Sequence, residues 1–293
     1  MSSTKPLIQN ISDTALWVAV YRANETDRPD ALFRDPFARR LAGTRGEQIA
    51  EKMGFSGRDS WPFVARTCAF DGIISQQIRA GADTVVNLAA GLDTRPYRMS
   101  LPFSLKWVEV DLPAILDYKE EILAQEKPAC ALERVRLDLT NTTARRELFQ
   151  QVGKGSSKAL IITEGLLAYL TPEEVGALAT DLAQPPSFQN WVLDLASPGL
   201  LRRLQQTKGS HLSQGNAELK FGPAEGPEYF ARYGWKPVEV HSMLQTAARL
   251  KRLPLWMRML AKLPESNGPQ GSRPWGGVCL YSKPQTVRPR PSS

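Results

Sequence analysis

Three acidic residues close three successive apolar runs of this chain: Asp111 after LKWVEV, Asp138 after ERVRL and Glu164 after ALIIT. A further run, TVVNLA from Thr84, precedes them and turns at Gly91, twenty residues ahead of Asp111. If these runs are parallel strands, all four positions fall outside the carboxyl edge of one sheet, where open α/β sheets bind ligands. A carboxylate after the second strand can accept both hydroxyl hydrogens of a ribose. One after the third can accept from an adenine amino group while Leu139 covers the base. Arg66, ahead of the first strand, could clamp a carboxylate in bidentate fashion.

Taken singly, each acid would be expected to cap the next helix or pair with a surface arginine, and Arg66 to be a solvated helix residue. Three acids in register favour a shared ligand instead. The turn after the first strand, AAGLD, carries one glycine where a dinucleotide fingerprint has three. Few backbone amides can therefore approach a pyrophosphate there. A cleft edged by three acids suits a cation better than a phosphate. S-adenosyl-L-methionine, with a sulfonium, an ammonium and no phosphate, fits this pattern as cofactor.

The elements that must position these residues follow from periodicity. The first 80 residues read as helical, with helices starting at Ser12-Asp13, Asp35-Pro36 and Trp61-Pro62, the last ending before Gly81. Strands are expected at 84–89, 105–110, 133–137, 159–163, 191–195, 235–240 and 277–281, alternating with helical stretches. That order predicts an α/β fold with a doubly wound, mostly parallel seven-stranded sheet. Thr171-Pro172-Glu173-Glu174 is the clearest helix start, with a Thr cap, a Pro at the first helical position and a Glu three residues after the cap. Residues 197–233 are rich in Gly, Gln and charge without strong periodicity, and are expected to form an insertion covering the substrate side. Residues 1–283 are expected to make one domain, with 284–293 a frayed tail.

Composition bounds the possible functions. A chain of 293 residues and 32.5 kDa, 42% hydrophobic and 23% charged, can bury a full core. No apolar run approaches the roughly 20 residues that span a bilayer, so no integral membrane association is expected. The start, MSSTKPLIQN, lacks the apolar core of a secretory signal, which gives a cytoplasmic expectation. Three dispersed cysteines (Cys68, Cys130, Cys279) and two isolated histidines (His211, His241) suit neither a disulfide framework nor a metal site. The net charge is +7, but from Met243 onward nine Lys and Arg face Glu265 alone, so the body is about neutral. No basic stripe with interleaved aromatics runs through that body, so no nucleic-acid partner is expected.

Several stretches taken together are more specific than any one. SDTALWVAVYRANETDRPDALFRDPFA from Ser12, ARTCAFD from Ala65, VVNLAAGLDTRPYRM from Val85, VEVDLP from Val108 and TEGLLAYLTPEEV from Thr163 resemble the leucine carboxyl methyltransferase family. They are most similar to its bacterial branch of S-adenosyl-L-methionine-dependent enzymes, and the likeness runs to about Val175. The resemblance implies a class I, Rossmann-like methyltransferase fold. It implies that Arg66 holds the methionine carboxylate, that Gly91 lets the backbone approach the cofactor and that Asp111 holds the ribose. It places Asp138 and Leu139 at the adenine and Glu164 near the methionine end. Asn87-Leu-Ala-Ala-Gly91 departs from the broader methyltransferase pattern, which has an acid and more glycines there; the resembling family shares the departure.

The expected activity is methyl transfer to a carboxylate or hydroxyl of a small-molecule acceptor. A carboxylate acceptor is already ionised at neutral pH and needs only orientation, whereas a hydroxyl would gain from a base. His211 and His241 are candidates without an assigned role, and no catalytic residue is named. Tyr21, Arg22 and Tyr169 could line the acceptor pocket or simply pack. A nicotinamide-dependent oxidoreductase would need the missing glycine turn. A nucleic-acid amine methyltransferase would need Asp or Asn, two prolines and an aromatic after the fourth strand, where Glu164-Gly165-Leu166-Leu167 stands. A non-catalytic cofactor-binding module stays open. The segment from Met243 to Leu263 pairs five basic residues with an apolar face. It could dock on an anionic membrane, but its place between the last two strands favours a covering helix, broken at Pro254, with its Leu, Trp and Met side chains packed inward.

Overall fold

The structure is a computed structural model that describes residues 12–53, 60–213, 215, 217–261 and 271–284. Three helices lead: α1 (Asp13–Thr26), α2 (Ala38–Lys52) and α3 (Trp61–Arg79). The alternating part follows as β1 (Thr84–Leu88), α4 (Arg95–Arg98), β2 (Lys106–Asp111), α5 (Pro113–Ile122), β3 (Ala131–Arg136), α6 (Thr142–Lys154), β4 (Ala159–Thr163) and α7 (Pro172–Ala183). It continues through β5 (Phe188–Ala196), α8 (Pro198–Ser213), β6 (Lys236–Ser242), α9 (Met243–Arg249), α10 (Leu255–Leu260) and β7 (Gly276–Ser282).

The seven strands form one sheet in the order β3-β2-β1-β4-β5-β7-β6, with β1 to β5 pairing parallel among themselves and β7 antiparallel to both β5 and β6. This is the doubly wound, mostly parallel α/β sheet that the alternation predicts. Helices cover both faces of the centre, so β1 and β4 are buried at every position and read as unbroken apolar runs. The edge strands β3 and β6 instead alternate between exposed and half-buried positions. Strand order reverses between β1 and β4, which opens a crevice at their carboxyl ends. The capping box of α7 forms as its sequence predicts: Thr171 Oγ1 accepts from the Glu174 amide and Glu174 accepts from the Thr171 amide at 2.7 Å.

Two expectations need correction. The 197–233 region is not aperiodic: α8 occupies 16 of its residues, and a 3-10 helix (Gly226–Tyr233) closes it. Its apolar residues enter the cores, with Leu212 and Ala217 packed among α1 and α2, and Phe221, Tyr229 and Phe230 under the sheet. The irregular look arises because the region divides its apolar residues between two cores instead of forming one stripe. The second correction concerns the segment after β6. The chain does break at Pro254, which caps α10, and Leu253 is buried beside Ala65 and Ala247. Met257 packs there too, but Leu255, Trp256, Met259 and Leu260 are exposed rather than packed inward. After the proline, Met257 and Ala261 are the apolar side chains that pack against that cluster. Of the tail assigned to 284–293, residues from 285 on lie outside the described residues.

Candidate active site

The crevice is built from the ends of neighbouring strands. After β1 the chain turns through Ala89 at φ 53° and Gly91 at φ 48°, both left-handed. A non-glycine residue pays roughly 1–2 kcal/mol for that conformation at Ala89. A Cβ on Gly91 would stand 3.3 Å from the Ala15 side chain of α1, so α1 packs directly against this turn. Asp111 at the end of β2 fastens the turn: its Oδ2 accepts from the Gly91 amide at 2.6 Å, and its Oδ1 from the Leu112 amide at 2.7 Å. Burial pushes the Asp111 carboxyl upward, against these two backbone donors.

Asp138 follows β3 and is exposed. Its Oδ1 accepts from the amide and hydroxyl of Thr140 at 2.9 and 2.7 Å, which fixes the turn into α6. Leu139 packs against the sheet core, and its carbonyl accepts from Arg145 at 2.8 Å. Asp111 and Asp138 thus flank the β2 and β3 ends in adjacent positions, since Asp111 pairs in register with Arg136.

Glu164 and Arg66 meet on the other side of β1. Arg66 Nε lies 3.0 Å from Glu164 Oε1, and Glu164 Oε2 lies 2.8 Å from Arg95 Nη1. Gly165 turns the chain at φ 68°, and a Cβ there would sit 3.5 Å from Arg66 Nη1. The structure therefore brings Arg66 and Glu164 together, joins Gly91 to Asp111, and places Asp138-Leu139 at the next strand end.

Sequence reasoning missed the remaining members of this cluster. Asp194, inside β5, accepts from the Gly165 amide at 2.7 Å and lies 3.3 Å from Arg66 Nη1. Arg95 also pairs with Asp93 at 2.8 Å and Asp71 at 2.7 Å, and Asp71 pairs with Arg98 at 2.7 Å. Three guanidinium groups and four carboxylates make a network with one net negative charge. Burial would raise Asp71, but Arg98 and Arg95 more than offset it and hold the carboxyl below its ordinary value. Asp93 is lowered in the same way, with Arg95 the chief charge opposing its burial. Asp194 goes the other way, raised chiefly by burial despite Arg66. An aspartate inside the apolar run WVLDLA was the signal that could have found it.

Asn87, the departure noted in the sequence, has a partner in this network. Its side-chain amide donates to Asp93 Oδ2 at 2.9 Å. A carboxylate at position 87 would face another carboxylate at that distance, so the amide is the compatible choice.

The aromatic residues on α1 pack rather than face a pocket. Tyr21 is 1% exposed and stacks on Phe63 with ring centroids 4.5 Å apart. Arg22 pairs with Asp35 at 2.8 Å and donates to the Leu92 carbonyl at 2.6 Å, holding α1 over the turn after β1. Tyr169 packs against the same α1 cluster, with its phenol raised by burial. Leu219 of the 197–233 region joins that cluster, and the Lys220 and Phe221 amides donate to the Ala168 carbonyl beside Tyr169 at 2.6 and 3.2 Å. His241 lies on β6, the far edge strand, 3.0 Å from Glu239, and His211 lies on α8. Burial pushes the Cys68 and Cys279 thiols up to about 12 and Cys130 to about 11, which keeps all three protonated at neutral pH.

Among known proteins, residues 15–183 match the leucine carboxyl methyltransferase family. A Streptomyces avermitilis protein named "Putative S-adenosyl-L-methionine-dependent methyltransferase" is 31% identical over 253 residues, covering 82% of this chain and 87% of its own. A Streptomyces coelicolor protein of the same name is 29% identical, with 88% and 92% covered. Two solved structures share the fold. A methyltransferase-like protein of Thermobifida fusca superposes with a TM-score of 0.59 at 16% identity, covering 94% of this chain and 96% of its own. A DUF574 family protein of S. avermitilis gives 0.58 at 14% identity, with 91% and 97% covered.

Proposed function

The chain belongs to the leucine carboxyl methyltransferase family and is an S-adenosyl-L-methionine-dependent methyltransferase, and from that premise we propose that it methylates a carboxylate or hydroxyl oxygen of a small molecule. The observation that carries the reading is the cluster around Arg66 and Glu164. It occupies the turn after β4, where an amine methyltransferase would carry its acid or amide, prolines and aromatic, and it commits Glu164 to two arginines.

The residues fit the cofactor. The network's single net negative charge complements a ligand with two cationic groups and one carboxylate. Asp111 spends one lone pair of each oxygen on a backbone amide, and a carboxylate has about four such sites, so both oxygens can also accept from ribose hydroxyls. Arg66 has five N–H donors, of which Glu164 and Asp194 engage only part, so it can add the methionine carboxylate. In this reading Glu164 stands near the methionine end, Gly91 admits the backbone to close approach, and Asp138 and Leu139 take the adenine.

Bound cofactor supplies an electrophilic methyl carbon on a sulfonium. A carboxylate acceptor, already ionised, would take that methyl with no proton to lose, whereas a hydroxyl acceptor would have to release its proton to solvent. The protein's share is orientation and exclusion of water. The clamp of α1 by Arg22 and the seating of residues 219–221 beside Tyr169 support the 197–233 region as the wall on the acceptor side. We place residues 1–283 in a single methyltransferase domain, because α3 packs on the sheet that carries the site and α1 packs on α3 and on the turn after β1.

The test is a screen of carboxylic acids and phenols for labelled methyl incorporation, with base-labile product marking an ester and base-stable product an ether. Incorporation only into amines would overturn the proposal. Calorimetry against S-adenosyl-L-methionine, its demethylated product, NAD and NADP checks the cofactor side, where only the first two should bind.

A further inference from the structure

The face of α10 that points away from the domain is apolar and exposed: Leu255 is 77% exposed, Trp256 71% and Met259 69%. Leu260 adds to the same patch. The helix is held from below, where Met257 and Ala261 pack against the small buried cluster of Ala65, Ala247 and Leu253. Nearby, Arg252 is spent on Glu25 and Asp30 at the end of α1. Arg249, Lys251 and Arg258 are exposed around the patch, and residues 240–264 contain no acid. A tryptophan, a methionine and leucines ringed by arginine and lysine make the composition of a segment that rests in a lipid headgroup region.

We propose that α10 docks the protein on an anionic phospholipid surface, with Leu255, Trp256, Met259 and Leu260 entering the headgroup boundary and Arg249, Lys251 and Arg258 meeting lipid phosphates. Charge decides between this occupant and a second copy of the chain. Two copies meeting on this face would set arginine and lysine against arginine and lysine. Four side chains also fall short of the ~800 Å² per partner that a stable protein pair buries. A lipid surface supplies the opposite charge and accepts a patch of any size.

Full-length protein would be spun at physiological salt with vesicles of phosphatidylcholine alone or of phosphatidylcholine and phosphatidylglycerol. Binding to the phosphatidylglycerol vesicles, weakened by added salt, is the expected result. Trp256→Ser with Met259→Ser and Leu260→Ser should lower the bound fraction roughly tenfold or more, while the melting temperature stays unchanged because these side chains touch solvent. Trp256→Phe should remove a vesicle-induced blue shift of the emission. Sedimentation with neither vesicle, as when the protein's own chain covers the patch, overturns the proposal. So does binding that the triple variant retains, or a dimer in light scattering that the triple variant dissociates.

Discussion

Asp111 accepts a hydrogen bond from the amide of Gly91, twenty residues earlier, at 2.6 Å. The bond ties the end of β2 to the turn after β1 and gives one carboxylate two duties. Asp111→Ala should therefore weaken cofactor binding by about 1.5–3 kcal/mol and also lower stability by about 1–3 kcal/mol, since the Gly91 amide loses its acceptor. Calorimetric titration and urea unfolding measure the two separately. A loss of stability with normal cofactor affinity would reduce Asp111 to a structural cap.

Asp138→Ala should have a smaller effect on binding than Asp111→Ala. Its known bonds stay within the turn to Thr140, and stacking on Leu139 can keep part of an adenine contact. Equal losses in the two variants, measured by titration, would contradict this order.

Asp71 and Asp194 should give opposite pH signatures. Asp71 lies below its ordinary value because Arg98 and Arg95 outweigh its burial, so its contribution is full above the ordinary carboxylate range and fades as pH falls through the lowered folded value. Asp71→Asn should cost about 3–5 kcal/mol at neutral pH, leaving two buried guanidinium groups short of charge, and less in acid. Asp194 is raised by burial, so its contribution is full below the ordinary range and fades as pH rises through the raised folded value. The stability gap for Asp194→Asn should accordingly narrow toward neutral pH. Urea unfolding across a pH series reads both.

Gly165→Ala should disturb the site more than the fold. The residue sits at φ 68°, and the added methyl would lie 3.5 Å from Arg66 Nη1. The methyl is at ordinary contact distance, so the cost is the left-handed backbone, about 1–2 kcal/mol; relaxing it would move the Gly165 amide that donates to Asp194 and should raise the KM for S-adenosyl-L-methionine several-fold. An unchanged KM in a variant that is merely less stable would separate this turn from cofactor binding.

Removing residues 197–233 should abolish cooperative unfolding altogether. Leu212, Ala217, Phe221, Tyr229 and Phe230 belong to the cores, so the region cannot be excised to test substrate recognition alone. Calorimetry of the shortened chain, with a sharp transition as the contrary result, checks it.

The strands were legible because their signal is local. An unbroken apolar run such as ALIIT or an alternating edge strand is written within a few residues, as is the Thr171 cap. The positions of Gly91, Asp111, Asp138 and Glu164 at strand ends followed from the same local pattern. The partners of those residues did not. Arg66 and Asp194 are 128 positions apart and meet because α3 packs on β5. The same holds for the exposure of Trp256, whose apolar type predicts burial and whose place after Pro254 decides otherwise. Residue type and spacing determine which elements form. Which charges share a desolvated crevice, and which apolar face goes uncovered, depends on strand order and crossover packing, which bring together residues that no local pattern connects.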